Sequence, residues 1–502
     1  MKKSKLIYEG FEWNFELIDK AWREIQIVAK DVCPLDCYTP QIEVISSEQM
    51  LDAYSSVAMP VMYKHWSFGK TFIKNQEAYK KGRQGLAYEV VINTDPCLTY
   101  LMEDNSMTMQ TLVMAHAAVG HSSFFKNNYL FKEWTDAAFI LDYLKYAKSY
   151  IAECEQKYGA KAVEHVLDRA HVFRDYSVDK YKKPSPLTSD LARLKAKDRD
   201  KYEEETFNDL WRTTVKSPKG QEVQLDSNQF DYDVQLPEEN ILKFIEEQSP
   251  SLKKWIREIL HIVRRISQYF YPQMQTQLMN EGWATFTHYN IMTELHNRGK
   301  ITDGAYLEFI ESHSGVIYQP EYDSKYYSGI NVYALGFAMM QDIRRVCENP
   351  TEEDRKWFPD IAGTDWKTSM AEIIQNYRDE SFVLQFLSPK VIREMKLFNL
   401  KDDGKTVLEN PHFSTEVYTV TRTHDDDDVL AIRKSLANQY SLSHRLPQIE
   451  IVGYNQLESL VQLKYYKIQG RELEQRQLKI VMQCFADLFG PCDIKFITEE
   501  ID

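Results

Sequence analysis

The chain has no surplus of positive charge: its 502 residues hold 61 Lys and Arg against 75 Asp and Glu, a net charge of −14. That balance repels phosphate backbones, and no Lys/Arg stripe with interleaved aromatics offsets it, which excludes nucleic acid as a general partner. Nor is there any run of about 18 uncharged apolar residues, so no membrane span is expected. The opening MKKSKLIYEGFEWNFELIDKAW reaches acidic residues before an apolar stretch of signal-peptide length, so secretion is not expected either. The seven cysteines are odd in number and dispersed, apart from Cys33 and Cys37, which fits a reducing cytoplasm and no disulfide framework. The CPLDC segment lacks the second half of a four-cysteine zinc site, and its Pro and Asp fit a turn. Nothing repeats at a fixed period. A homo-oligomer is compatible with all of this.

At 502 residues, two or three packed units are expected. Apolar residues recur at intervals of three and four from Phe15 to Val32, less clearly from Glu48 to Ala58, and again in MTMQTLVMAHAAVGHSSFF, Trp134 to Tyr158 and Ala160 to Phe173. Between these, LAYEVVINT alternates as a strand. Lys, Asp, Glu, Pro and Ser dominate 180–235, which reads as a charged connecting segment. Helical periodicity resumes at Glu238 and continues to a C-terminal stop at Gly299. The acids Asp425 to Asp428 open a helix, where the positive end of its dipole explains them better than a bound cation. From about Thr415 the segments EVYTVTRT, QIEIVGYN, SLVQLKYYKI and CDIKFIT alternate as strands with two helices between them, in the order β-α-β-β-α-β. The expected fold is α+β: a large, mainly helical domain over 1–400 and a small ferredoxin-like domain over 410–502.

The chemistry centres on His116 and His121 in AHAAVGHSSFF. A regular helix turns about 100° per residue, so five residues leave the two side chains about 140° apart and unable to share an ion. A π-bulge, or a helix end near Gly120, would swing His121 round, and such irregularities cluster at functional sites. Two buried histidines bonded to backbone carbonyls are the bland alternative. In MNEGWATFTHY, Glu281 and His288 lie two turns apart and share a face, where Glu281 suits a third ligand for zinc or another first-row divalent ion. The alternative for Glu281 is an ion pair with Arg264 or Arg265.

A helix with two histidines followed by a helix opening Asn-Glu-Gly resembles the thermolysin-like zinc peptidases. Those enzymes carry Glu directly after the first histidine to activate water, whereas here that residue is Ala117. A hydrolase would need another base, for which Asp136, Glu133, His171 and His288 are the candidates. MYKHWSFGK adds His65, beside Trp66 and Lys70, as a site residue or a loop anchor. GVIYQPEYDSKYYSGINVYALG adds Tyr327, Asn331 and Tyr333, with a tyrosine hydroxyl as a donor to a developing oxyanion or as ordinary packing.

The strings ISSEQMLDAYSSVAMPVMYKHWSFGK, AYEVVINTDPC, TMQTLVMAHAAVGHSSFFKNNYLF, MNEGWATFTHY and YYSGINVYALGFAMMQDI together resemble the SpoVR (stage V sporulation protein R) family over nearly the whole chain. The resemblance implies a cytoplasmic bacterial protein, linked in spore formers to building the spore cortex. It also implies company with a PrkA-type serine kinase and a von Willebrand A-like protein, and supplies no catalytic activity. The leading functional expectation is therefore a zincin-like, zinc-dependent hydrolase such as a peptidase or amidase, with His116, His121 and Glu281 as ligands. The alternatives are a non-catalytic adaptor for the kinase and, behind it, an oxygen-activating iron or manganese protein.

Overall fold

The structure is a computed structural model. It describes residues 6–55, 59, 62–68, 70–71, 73–74, 89–181, 237–322, 324–398, 400–401, 419–420, 425–468 and 472–501. These fall into two compact units, one of residues Met1–Arg174 with Leu252–Gln448 and one of Asp175–Ser251 with Ile449–Asp502.

The first unit is mainly helical. Its opening helix spans Phe15–Val32, the residues whose periodicity predicts it, and Asn14 starts it by accepting a hydrogen bond from the Leu17 amide at 2.8 Å. Ile18, Ala21, Ile25 and Val28 form its buried stripe. A three-stranded sheet of order β1-β3-β2 follows, built from β1 (Pro40–Ile45), β2 (Glu89–Ile92) and β3 (Cys97–Met102), with β3 parallel to β1 and antiparallel to β2. Strand side chains alternate, so Val90 and Ile92 bury one face of β2 while Glu89 and Val91 occupy the other.

The predicted helix from Met107 onward is one continuous run with an irregular middle: Met107–Val113 is α-helical, Met114–His121 is a π-helix, and Ser122–Asn127 returns to α. The long helical stretch after Glu238 is broken into Ile241–Gln248, Lys254–Gln275 and Gln277–Asn297, the last two meeting at Thr276. Gln277–Asn297 is buried nearly all round, from Leu278 to Leu295, and forms the axis of the helical unit. It ends at Gly299, whose φ of +65° and bond to His296 O, with Lys300 N–H reaching Leu295 O, make the expected glycine stop. Asp425 caps Asp426–Tyr440, accepting from the Asp428 amide at 2.8 Å, so the acidic run acts as a helix start.

The second unit departs from the ferredoxin-like expectation. Its sheet has the order β6-β7-β8, from β6 (Gln448–Asn455), β7 (Leu460–Ile468) and β8 (Asp493–Ile501). β7 and β8 pair directly and in parallel from Leu460↔Asp493 to Ile468↔Ile501, joined by the Gln475–Phe489 helix. A split βαβ plan needs a further strand between those two, and the register leaves no place for one. The described part of EVYTVTRT, β5 (Thr419–Val420), pairs instead with β4 (Leu400–Lys401). The Asp426–Tyr440 helix belongs to the first unit, where Arg433 Nε donates to Leu387 O at 2.7 Å. Ile241–Gln248 covers the C-terminal helix in its place: Phe244 stacks on Phe489 with ring centroids 5.6 Å apart, and Ser249 Oγ donates to Phe489 O at 2.6 Å. Of the charged segment 180–235, only Lys180 and Tyr181 are among the described residues.

Candidate metal centre

The π-helix resolves the five-residue spacing of His116 and His121. Its hydrogen bonds run to the fifth residue, as from Ser122 N–H to Ala117 O, which widens the turn until residues five apart stand on one face. The two rings are 4.6 Å apart between centroids. Glycines then let the ligand-bearing helices touch at their backbones. A Cβ on Gly120 would lie 2.6 Å from Ala284 Cα, and one on Gly282 would lie 2.6 Å from Gly336 Cα. The first contact places His116 and His121 against the Gln277–Asn297 helix, and the second places that helix against Val332–Glu348, which carries Tyr333.

Four acceptor atoms converge there. His116 Nε2 lies 3.2 Å from Glu89 Oε1 and 3.8 Å from Glu281 Oε2, while His121 Nε2 lies 3.9 Å and 3.5 Å from the same two oxygens. Ligand atoms of Glu89, His116 and His121 all sit within 4.8 Å of one another. The other ring nitrogens are occupied behind the cluster. His121 Nδ1 is 2.9 Å from Asn280 Oδ1, an oxygen that only accepts, so Nδ1 carries the proton and Nε2 is bare. His116 Nδ1 is 2.8 Å from His288 Nδ1, and His288 Nε2 is 3.0 Å from His313 Nδ1. Glu281 Oε2 is buried and makes no hydrogen bond, while the Tyr333 hydroxyl donates to the Glu281 carboxylate.

Burial and charge oppose each other at every group. Burial pushes the Glu89 carboxyl up to about 7, with His116 pulling it down and Glu281 pushing it further up. Burial also works against the Glu281 carboxylate, but His121, His116 and Tyr333 together hold its pKa below the usual value. For His116 burial disfavours the imidazolium, and the two carboxylates outweigh it and raise its pKa. Burial dominates at His121 and His313, each lowered to about 4, and at His288, which falls well below the ordinary histidine value.

Ligand atoms about 2.0–2.1 Å from a tetrahedral first-row ion are about 3.3 Å apart. Spacings of 3.2 to 3.9 Å match that geometry, and a two-nitrogen, two-oxygen donor set suits zinc, iron or manganese. The imidazole side chains are 8% and 5% exposed and the Glu89 and Glu281 side chains 17% and 19%, with Oε2 of each carboxylate buried.

The remaining sequence candidates are placed as follows. His288 stands directly behind His116, and Tyr333 touches Glu281. Asn331 supports Tyr333 from a distance, capping its helix by accepting the Tyr333 amide at 3.0 Å and donating to Val316 O at 2.8 Å. His171 and His65 meet each other elsewhere: their centroids are 4.4 Å apart, with Tyr63 OH 2.5 Å from His171 Nε2 and Asp168 Oδ1 3.1 Å from His65 Nε2. Asp136 is an exposed loop residue, Glu133 is half-buried at the end of Tyr129–Trp134, and Tyr327 packs on Tyr322 with centroids 5.3 Å apart. Glu89 and His313 escape sequence reasoning. The signal for Glu89 is faint, a single carboxylate heading the apolar strand EVVI, and His313 sits among Glu311, Ser312 and Ser314 in no spacing that points to a ligand set.

A mainly helical body holding a buried cluster of two histidines and two carboxylates defines a protein with a candidate metal centre. The family model described as SpoVR like protein matches residues 12–445, and the chain belongs to the SpoVR family. It is 51% identical over 450 residues to the Escherichia coli (strain K12) protein named "Uncharacterized protein YcgB", a match covering 90% of this chain and 86% of that one. No solved structure matches.

Proposed function

We propose that the chain is a metal-dependent hydrolase of amide or peptide bonds, with zinc as the first candidate ion. The observation that carries this reading is the convergence of two imidazole nitrogens and two carboxylate oxygens, with the second nitrogen of each ring bonded outside the cluster. Facing lone pairs repel unless a cation or protons lie among them. His116, His121 and Glu281 are the ligands, as in the zincin-like pattern. Glu89, arriving from a strand, supplies the carboxylate that Ala117 does not.

A bound divalent ion supplies a Lewis acid that polarises a carbonyl and eases deprotonation of water. The protein's own part is acid–base and positional. Glu89, 3.2 Å from His116 Nε2, takes a proton from water and returns it to the leaving amine. Tyr333 fixes Glu281, and Asn280 fixes His121, so neither ligand has to reorient.

The test uses the full chain without a histidine tag. Wild type should carry about one equivalent of metal, and Glu281→Gln less than about a tenth. Glu89→Gln should keep its metal yet lose chelator-sensitive cleavage of a mixed peptide library, read by mass spectrometry. If Glu89→Gln empties the site as fully as Glu281→Gln, Glu89 is a fourth ligand and the hydrolytic reading fails. If wild type holds no metal, the whole proposal fails.

A further inference from the structure

Behind His116 lies a chain of imidazoles that metal binding alone does not explain. His288 uses both ring nitrogens, Nδ1 toward His116 Nδ1 at 2.8 Å and Nε2 toward His313 Nδ1 at 3.0 Å. His288 and His313 are 3% and 4% exposed. Phe309 and Phe337 pack on the His313 ring, with centroids 5.6 and 4.9 Å away, which fixes its plane.

We infer that His313 is a positioning residue for the metal centre, acting through His288 on His116; this rests on the metal reading above. For His116 to present a bare Nε2 to the carboxylates, its proton must sit on Nδ1, 2.8 Å from His288 Nδ1, with the Ala284 backbone a further hydrogen-bond partner of the ring. His288 then needs a bare Nδ1 and a proton on Nε2. Buried, that Nε2–H requires an acceptor, and His313 Nδ1 is the acceptor provided. Without it, His288 either leaves an N–H unsatisfied or flips tautomer. A flipped His288 sets two N–H groups against each other at 2.8 Å and drives the His116 proton onto the metal-facing nitrogen. The state of His116 Nε2 is thus set two side chains away.

Cobalt(II) serves as the probe, because its visible bands report ligand geometry. His313→Asn keeps a carbonyl oxygen as acceptor where Nδ1 stood, and His313→Leu keeps bulk without an acceptor. Relative to wild type, His313→Leu should weaken cobalt binding about tenfold or more and shift its bands, while His313→Asn should stay within about twofold. Equal binding and spectra for wild type and His313→Leu overturn the inference, as does an Asn variant as weak as the Leu variant, which would assign the loss to packing. Cobalt uptake by wild type separates these failures from failure of the metal reading, since no uptake at all overturns that reading and this inference with it. Should the Leu variant not fold, imidazole 15N shifts of the wild-type chain decide: His288 protonated on Nε2 supports the inference, and protonation on Nδ1 overturns it.

Discussion

His65 and His171 meet at 4.4 Å between ring centroids and His116 and His121 at 4.6 Å, yet the polar atoms around the two pairs follow different rules. Around His65 donors meet acceptors among the described residues: Trp66 Nε1 gives to Asp168 at 2.7 Å, His65 Nε2 lies 3.1 Å from the same carboxylate, Ser67 Oγ lies 2.6 Å from His65 Nδ1, and Tyr63 bonds His171. Around His116 one nitrogen of each ring is bonded outward, to Asn280 and His288, and the other faces two carboxylate oxygens. Residue types are shared, and the direction of the lone pairs differs. A histidine cluster is therefore better judged by where its acceptors point than by how many histidines it holds.

That contrast can be broken at several points. The largest effect is expected for Gly282→Ala, whose new Cβ would meet the Gly336 backbone at 2.6 Å. Neither helix can retreat without opening the core, so stability should fall by about 3 kcal/mol or more, read by urea unfolding, with the metal lost as well. Less than about 1 kcal/mol would show that backbone contact does not hold the ligand helices. Next is pH. His116, a ligand whose pKa the two carboxylates raise above the usual histidine value, must release its proton before an ion binds. Metal affinity should therefore fall by about tenfold per unit as pH drops below the ordinary histidine value of about 6.5. A flat profile between pH 5 and 8 would contradict the assignment of His116 as a ligand that protons compete for.

The smallest effect belongs to the other pair. His171, lowered to about 3 by burial, stays neutral across that range. His171→Gln should cost about 1–2 kcal/mol through the lost Tyr63 bond and leave metal content unchanged. Loss of metal in that variant would erase the distinction between the clusters.

Much of the helical unit was legible because helical burial repeats locally: Phe15–Val32 and the Gly299 stop appear where periodicity and capping residues put them. The five-residue histidine spacing even posed the question that the π-helix answers, since only an irregular turn brings the pair together. Contacts between distant segments were not legible. Glu89 reaches His116 from another element, and His313 reaches it through His288, so no local spacing encodes either. The strands of QIEIVGYN, SLVQLKYYKI and CDIKFIT were readable from alternation, but alternation says nothing about which strands are neighbours, and the ferredoxin-like order was lost there. Polar and aromatic character points equally to Tyr327, Asn331 and Tyr333, of which Tyr333 alone is placed on a ligand.

Elemental analysis of the untagged full chain, set beside His116→Ala and His171→Ala, tests the account most directly. It predicts about one equivalent of a divalent transition metal in wild type and in His171→Ala, and less than about a tenth in a folded His116→Ala. Wild-type protein holding less than about a tenth of an equivalent, and gaining none on incubation with zinc, manganese or iron(II), would contradict it.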